Sequence, residues 1–230
     1  MEQSATPPQP PPPPPPPAPA ATDEYPVTFT VEYPDRELSR VSTFFRFFAA
    51  IPIFIVLSLV SGGGNYSAYA GDTTTSFSVG AGGVLIAATL IMILFRQKYP
   101  RWWFDWNLEL TRFSNRVFTY LFLMNDKYPS TDEHQWLRLD ITYPDAERDL
   151  NRWLPLVKWL LAIPHYIVLA FLYIGAFFAT IGAWFAILFT GRYPRGIFDY
   201  NEGVFRWSIR VEAYVAILAT DKYPPFRLSP

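Results

Sequence analysis

Cysteine is absent from this chain of 230 residues, and histidine occurs only at His134 and His165. A chain without cysteine has no disulfide bond, no thiol nucleophile and no thiolate metal ligand. Two histidines far apart in sequence are too few ligands to indicate a metal centre, so we expect no metal and no cofactor. A Walker loop, HExxH and GxSxG are absent as well. The sequence therefore predicts no catalytic residue and no enzyme activity.

Net charge is also small, because 19 Lys and Arg residues and 20 Asp and Glu residues sum to −1. This balance gives no indication of a nucleic-acid partner, and we expect none. The long apolar runs contain no Asp or Glu. Proton- and sodium-coupled transporters usually place such a residue near the middle of the bilayer, so the sequence disfavours a coupled transporter.

Apolar residues are abundant instead: 50% of the chain is hydrophobic and 18% is aromatic. The stretch 154–189 contains Lys158 and His165 but no other Lys, Arg, Asp, Glu or His. As one straight helix it would be about 54 Å long, against about 30 Å for the hydrocarbon core of a bilayer. We therefore interpret the region as two transmembrane helices, 154–172 and 175–190, with a tight turn between them.

Two further apolar runs in the first half predict transmembrane helices at 44–60 and 79–95, separated by a Gly-, Ser- and Thr-rich loop at 61–78. Every Lys and Arg lies outside this loop and outside the turn near 173–175. Because Lys and Arg concentrate on the cytoplasmic side of membrane proteins, we expect both connections to face outward. The prediction is a multi-pass plasma-membrane protein with four transmembrane helices and with both termini in the cytoplasm.

The remaining regions have the periodicities of strands and amphipathic helices. Strands are predicted at 27–33 and 137–143, and they are candidates for pairing in a small sheet under the membrane. Amphipathic helices are predicted at 102–124 and 198–219, on the cytoplasmic surface of the bilayer. The predicted fold class is mainly α, with a short strand before each apolar pair and an amphipathic helix after it.

The N-terminal tail, 1–24, contains eight consecutive prolines at Pro10–Pro17. Such a run favours an extended polyproline II helix, which has no internal hydrogen bonds. We interpret the tail as a disordered spacer, and a docking ligand for a proline-binding domain is the alternative.

The two halves of the chain contain the same landmarks in the same order, which indicates an internal repeat. The first unit covers 25–130 and the second covers 131–230. The matching segments are Tyr33-Pro34-Asp35 with Tyr143-Pro144-Asp145, Arg46 with Lys158, Ala50-Ile51-Pro52 with Ala162-Ile163-Pro164, Tyr99-Pro100-Arg101 with Tyr193-Pro194-Arg195, and Asp126-Lys127-Tyr128-Pro129 with Asp221-Lys222-Tyr223-Pro224. Two units in the same orientation would be related by an axis along the membrane normal.

Several motifs of the second unit are specific when taken together. They are Trp153-Leu-Pro-Leu-Val-Lys-Trp159, Ala162-Ile-Pro-His-Tyr166, Gly191-Arg-Tyr-Pro-Arg195 and Asp221-Lys-Tyr-Pro-Pro-Phe226. This unit resembles the DUF4389 family over most of 137–228, and the first unit resembles a more diverged copy. The resemblance implies a bacterial multi-pass membrane protein. Because the family is named for having no assigned function, the resemblance implies fold and location but no chemistry.

A set of polar residues recurs within and just before both predicted amphipathic helices. The set consists of Arg101, Asp105, Asn107, Arg112 and Arg116 in the first unit and Arg195, Asp199, Asn201, Arg206 and Arg210 in the second. Arginine binds carboxylate and phosphate through two parallel hydrogen bonds, so one interpretation is a cytoplasmic site for an anionic lipid headgroup or a partner protein. The alternative is that these residues cap helices and form ion pairs between the halves.

His165 lies beside Pro164 within an apolar run, where a polar side chain is a functional candidate. It has no counterpart in the first unit and no carboxylate nearby in sequence. We therefore favour a hydrogen-bonded structural histidine over a catalytic or metal-binding one.

The leading hypothesis from the sequence is a non-enzymatic accessory or scaffold subunit, which binds membrane lipids or a membrane-protein partner through its cytoplasmic face. A small transporter or channel component, with a path between the two units, is the first alternative. A lipid-modifying membrane enzyme is the second. Homo-oligomer formation is compatible with each of them.

Overall fold

A computed structural model describes residues 25–61, 63–70, 73–131 and 135–230. The tail and His134 lie outside the described residues. The prediction that the tail is a disordered spacer therefore falls on residues that are not described. The described part is mainly helical. Its strands are Val27–Val31 (β1), Gly63–Ala70 (β2), Thr73–Gly80 (β3) and Leu137–Ile141 (β4). Its helices are Arg40–Phe44 (α1), Arg46–Ser61 (α2), Ala81–Ile91 (α3, followed by a π-helical turn at Met92–Arg96), Arg101–Leu121 (α4), Pro155–Leu161 (α5), Ile163–Thr190 (α6) and Arg195–Val215 (α7).

The short strands β1 and β4 pair with each other in an antiparallel sheet. Phe29 and Leu139 face each other at its centre, and buried residues alternate with exposed ones along both strands. Both strands end two residues before their predicted last residues, Tyr33 and Tyr143. Pro34 and Pro144 follow, and a proline has no N–H to continue a ladder.

The helices form layers around this sheet. α7 packs against β1 and α4 packs against β4, while α6 lies against α7 and α2 lies against α4. The main hydrophobic core fills the space between the layers and includes Phe29, Leu139, Phe205 and Val117. α4 and α7 correspond to the predicted amphipathic helices, but much of their polar side is covered: Asn115, for example, is buried.

The predicted helical hairpin at 154–190 is wrong. The structure has the short helix α5 and then one continuous 28-residue helix, α6, which passes through 173–175 without a turn. α6 runs antiparallel to α7. The inner face of α6 is covered by α7, and not by the second helix of the predicted hairpin. At Gly175 an added Cβ would lie 2.6 Å from the hydroxyl oxygen of Tyr200. The glycine therefore allows close packing between helices rather than a turn.

Among the described residues, α6 is the one helix that is long and apolar enough to cross a membrane. At about 1.5 Å per residue it is about 42 Å long, so a tilt would fit it to a bilayer. The helices at the predicted spans 44–60 and 79–95 are short: α2 has 16 residues and α3 has 11. Four spanning helices are therefore not supported by length. The predicted loop at 61–78 contains β2 and most of β3, which form a β-hairpin, and β3 extends into the predicted span at 79–95.

Tyrosine side chains form hydrogen bonds between the two halves of the chain. Tyr33, after β1, donates a hydrogen bond to the backbone oxygen of Tyr193 at 2.6 Å. Tyr143, after β4, donates in the same way to the backbone oxygen of Tyr99. The residue two positions after each strand is thus bonded to the segment that precedes α4 or α7 of the other half.

Candidate functional site

A buried cation lies where α5 meets the segment after α7. Lys158 is 0% exposed, and its Nζ donates a hydrogen bond to the backbone oxygen of Thr220 at 2.6 Å. The same atom lies 2.8 Å from the carboxylate of Asp221 and 4.9 Å from the centroid of the Tyr214 ring. Burial lowers the pKa of Lys158, and the contact with Asp221 opposes that shift. Lys158 therefore has a carboxylate as well as a carbonyl partner.

Arg46 takes the corresponding place in the first half, where α2 meets the segment after α4. It is 1% exposed, and its guanidinium carbon lies 4.3 Å from the centroid of the Tyr120 ring. Nη1 donates to the backbone oxygens of Tyr120 and Asn125. Asp126 is the counterpart of Asp221, the carboxylate partner of Lys158. Asp126 pairs with Arg36 and not with Arg46. Nε and Nη2 of Arg46 have no hydrogen-bond partner within the described chain.

A cavity of about 470 Å³ adjoins Arg46 between α1, α6 and the end of α4. Its walls are mostly apolar and consist of Phe47, Leu121, Phe122, Leu123, Phe177, Ile181 and Trp184, with Thr43, Arg46 and Thr180 as the polar members. Thr43 is 1% exposed, and its hydroxyl has no hydrogen-bond partner in the part of the chain that is described. The volume is within the usual range for small-molecule pockets, about 300–1,000 Å³. This cavity and Arg46 form the candidate site.

Two of the arginines predicted from the sequence hold the central sheet. Nε of Arg112 donates to the backbone oxygen of Leu139 at 2.7 Å, and Nε of Arg206 donates to that of Phe29 at 3.0 Å. Each arginine also has a carboxylate partner. In both cases the arginine belongs to one half of the chain and the strand belongs to the other.

Arg116 and Arg210 are buried, each with 2% exposure, and they fix the segments that follow their helices. Nη1 of Arg116 donates to the backbone oxygen of Ser130 at 2.9 Å, and Nη1 of Arg210 donates to that of Arg227 at 3.3 Å. The pKa of Arg210 is lowered, mainly by burial. Their predicted role as ligands for a headgroup or a partner stays a prediction, and these two contacts each lie within one half of the chain.

Arg101 and Arg195 are the exposed members of the predicted set. Their Nε atoms lie 3.8 Å and 3.2 Å from carboxylate oxygens of Asp105 and Asp199. Each guanidinium also lies over a tyrosine ring of the other half, at 5.1 Å and 4.3 Å from the ring centroids. These two residues are accessible to a ligand that approaches from outside the fold.

The paired asparagines are internal. Nδ2 of Asn107 donates to the backbone oxygen of Trp103 at 2.7 Å. Nδ2 of Asn201 donates to the hydroxyls of Thr180 at 3.1 Å and Tyr193 at 2.9 Å, and so links α7 to α6. We assign both asparagines a structural role.

His165 lies in an aromatic cluster between α6, α7 and the C-terminal segment. It is 0% exposed, its Nδ1 accepts a hydrogen bond from Nε1 of Trp207 at 3.1 Å, and its ring stacks on Phe226 at 4.0 Å. An accepting Nδ1 assigns the proton to Nε2, as in a neutral imidazole. In the described ranges no group of three or more metal-binding side chains occurs. The contacts agree with a structural histidine.

Glu212 is a residue that the sequence reasoning missed. It lies on α7, lines a cavity of about 390 Å³ and accepts a hydrogen bond from the hydroxyl of Thr111 at 3.5 Å. Burial raises the pKa of Glu212 to about 7, and the bond from Thr111 acts in the opposite direction. The available signal was a carboxylate between Val211 and Ala213 on the apolar side of an amphipathic helix.

Comparison with known proteins supports one part of this picture. Residues 153–227 match the model of a family described as "Domain of unknown function (DUF4389)". The match runs from the start of α5 past the end of α7, and it covers a single copy in the second half. None of the curated proteins and none of the solved structures matches the chain.

Proposed function

We propose that this chain is a non-enzymatic membrane protein, which acts as an accessory or scaffold subunit and binds membrane lipids or a membrane-protein partner. The observation that carries the proposal is the exposed apolar face of α6. Phe171, Phe178 and Phe189 are 71%, 65% and 77% exposed, and only 17% of the most apolar window of α6 is buried. A core helix of a water-soluble protein would be mostly buried. A face of this kind requires lipid or another protein as its cover.

The same kind of surface continues on neighbouring elements. Phe47 and Leu59 of α2 are 73% and 76% exposed, and Trp153 and Trp159 around α5 are 66% and 59% exposed. Tryptophan is enriched where protein meets the boundary between lipid and water. The exposed surface thus has both a broad apolar part and an aromatic margin, as expected for a protein held in a bilayer.

Two tandem copies of one unit are part of the proposal, and paired contacts support them. The sheet places the two central residues, Phe29 and Leu139, opposite each other, as a twofold axis through its centre would. Leu123 and Leu218, which follow α4 and α7, have the unusual positive φ values of 64° and 58°. Such values are uncommon outside glycine, so finding both at matching places favours a common origin.

For the topology, we propose that the sheet lies on the cytoplasmic side and that β2 and β3 face outward. The basis is the absence of Lys and Arg from 61–78. Because the natural chain has no cysteine, single cysteines give a clean labelling test. With an impermeant maleimide on intact cells, Ser76→Cys is expected to react, whereas Asp149→Cys should react only after permeabilisation. The reverse pattern would contradict this orientation.

The functional proposal is tested by fractionation followed by purification in mild detergent. The protein is expected to stay with alkali-washed membranes, to aggregate when detergent is removed, and to co-purify with lipid or a stoichiometric membrane protein. A protein that remains monomeric in water without detergent would refute it. Flux through vesicles reconstituted with the pure protein would favour the transporter alternative instead, and turnover of lipid would favour the enzyme.

A further inference from the structure

Glu212 is a carboxylate with few polar contacts inside the fold. Its Oε1 accepts a hydrogen bond from the hydroxyl of Thr111 at 3.5 Å, which is long for such a bond. None of the ion pairs among the described residues includes Glu212. A carboxylate that is largely removed from water normally has a cation or several donors beside it, because an uncompensated charge is costly there. Glu212 lacks such a counterpart in the described part of the chain.

The repeated landmarks indicate that the packing of α7 does not require this carboxylate. Counting from the matched pair Arg112 and Arg206, the residue of α4 that corresponds to Glu212 is Phe118. Phe118 is 40% exposed. An apolar side chain takes the same place in the first half, so a general need of the fold does not explain the carboxylate in the second half.

Glu212 forms part of the wall of the cavity between α6 and α7, whose volume is about 390 Å³. The residue is partly exposed, and its Oε2 keeps accessible surface and takes no hydrogen bond from the described residues. The cavity opens to the outside at Tyr166, which is 48% exposed, and at the exposed Ala170. A ligand that enters the cavity can therefore reach a carboxylate oxygen.

The rest of the wall is aromatic and aliphatic. Tyr166 and Tyr173 contribute rings from α6, while Leu169 and Val211 contribute aliphatic groups. The hydroxyl of Tyr173 is already hydrogen-bonded to that of Ser208 at 2.7 Å. A primary ammonium group is strongly hydrated and would need several acceptors for its three N–H bonds. A quaternary ammonium group has no N–H, and it is attracted both to aromatic faces and to a carboxylate.

We infer that the cavity between α6 and α7 binds a small quaternary ammonium compound. Its positive charge lies beside the carboxylate of Glu212, and its alkyl groups contact the tyrosine rings and the aliphatic wall. The inference goes beyond the proposed function, because an accessory role implies no such ligand. A trimethylammonium group occurs both in free solutes and in lipid headgroups, and the test separates these two sources.

The test uses the full chain in a maltoside detergent, which has no ammonium group, and isothermal titration calorimetry. The probes are choline, its uncharged isostere 3,3-dimethylbutan-1-ol, and phosphocholine. We expect choline to bind about tenfold or more tightly than the isostere, because only the cation pairs with the carboxylate. Tighter binding of choline than of phosphocholine identifies a free solute, while equal or tighter binding of phosphocholine identifies a lipid headgroup.

Four variants assign the binding to the cavity. Glu212→Gln should weaken choline by about tenfold or more and leave the isostere unchanged, since it removes the charge and keeps the shape. Glu147→Gln is the same change at an exposed carboxylate outside the cavity, and it should leave both affinities unchanged. Tyr166→Leu should weaken choline by about 2- to 5-fold, the range for an exposed cation–π contact, whereas Tyr166→Phe keeps the ring and should not.

The pH dependence gives a readout that a purely structural role of Glu212 would not move. The titratable residues that line the cavity are Glu212, Tyr166 and Tyr173, and burial raises the pKa of Glu212 to about 7. Choline keeps its charge over the range used, so its affinity should rise by roughly tenfold from about pH 6 to about pH 8 as Glu212 ionises. Glu212→Gln should remove this rise.

Ala170→Phe partly fills the cavity and keeps Glu212, so it serves if Glu212→Gln does not fold, and it should weaken both choline and the isostere. The inference is overturned if choline does not bind, if the isostere binds as tightly, if Glu212→Gln binds choline normally, or if Ala170→Phe has no effect. The titration is done in detergent, so its result is independent of the fractionation that tests the membrane location.

Discussion

Replacing Asp221 by asparagine tests whether the buried cation of the second half depends on its carboxylate. Lys158 is 0% exposed, and its Nζ lies 2.8 Å from that carboxylate. Removing one partner of a buried ion pair typically costs about 3–5 kcal/mol of unfolding free energy, because the other charge stays buried. Lys158 keeps the backbone oxygen of Thr220 and the ring of Tyr214. We therefore expect a loss near the lower end, about 3 kcal/mol.

The matched control is Asp126→Asn, the same chemical change at the corresponding place of the first half. Asp126 pairs with Arg36, and their side chains are 12% and 55% exposed, so the pair reaches the surface. Exposed ion pairs contribute about 0–1 kcal/mol. Arg46, the buried cation on this side, donates to backbone oxygens that the substitution leaves in place. The two variants are thus expected to differ by about 2 kcal/mol or more.

The assay is thermal unfolding in detergent, followed by tryptophan fluorescence. For a chain of this length 1 kcal/mol moves the midpoint by about 2–4 °C, so Asp221→Asn should lower Tm by about 6–12 °C and Asp126→Asn by less than about 4 °C. Adding Lys158→Met to Asp221→Asn removes the stranded charge and should restore most of the loss. Equal shifts for the two aspartate variants, or no restoration in the double variant, would refute the reasoning.

The pH dependence gives a second readout. Burial lowers the pKa of Lys158 below 10.5, and the loss of Asp221 removes the contact that opposes this shift. Between the folded and the unfolded pKa the unfolded chain binds more protons, so stability rises with pH. The deficit of Asp221→Asn should therefore shrink as the pH increases from about 7 to about 10. A deficit that is constant over this range would argue against a buried lysine charge.

Three more variants probe other sites. Gly175→Ala places a Cβ 2.6 Å from the hydroxyl of Tyr200 and should cost about 1–3 kcal/mol in thermal unfolding, with partial recovery when Tyr200→Phe is added. The folded pKa of Glu212, about 7, lies above its ordinary value of 4.5, so stability is lost as the pH rises from about 4.5 through about 7. Glu212→Gln should remove this dependence and be more stable than wild type at about pH 8 by up to about 3 kcal/mol, and equal stability there would contradict the shift. Arg195→Gln changes an exposed side chain, so its Tm should stay within about 2 °C, while flotation with anionic vesicles should weaken if the predicted headgroup site is real.

Local patterns in the sequence predicted the elements that depend on local burial. Alternation around Phe29 and Leu139 predicted both strands, because a strand with one covered face buries every second residue. Helical periodicity predicted α4 and α7 to within a few residues at their ends, apart from the last turn of α7. These patterns depend on residues that are close in sequence. They can therefore be recognised without knowledge of the tertiary contacts.

The roles of the arginines depended on contacts that no local pattern contains. Arg206 and Arg112 have the residue type and spacing of an anion site, yet they donate to backbone oxygens of strands more than twenty residues away. A guanidinium has only donors, and these can bond to a backbone carbonyl oxygen as well as to a phosphate oxygen when the fold brings one near. Arg46 shows the opposite case: one position in an apolar run gave no sign that two of its nitrogens would be left free beside a cavity.

The length of an apolar run was the least reliable signal. The predicted turn near 173–175 was based on the length of the run, about 54 Å as one helix against about 30 Å of hydrocarbon. In the structure α5 takes up the first part of the run and α7 covers one side of α6, and α6 continues without folding back. The first half differs from the second at the corresponding place. There, the helical run ends at Ser61 and resumes at Ala81, with β2 and β3 between them. Under the proposed duplication, the first half carries an insertion at the place where α6 continues without interruption in the second half.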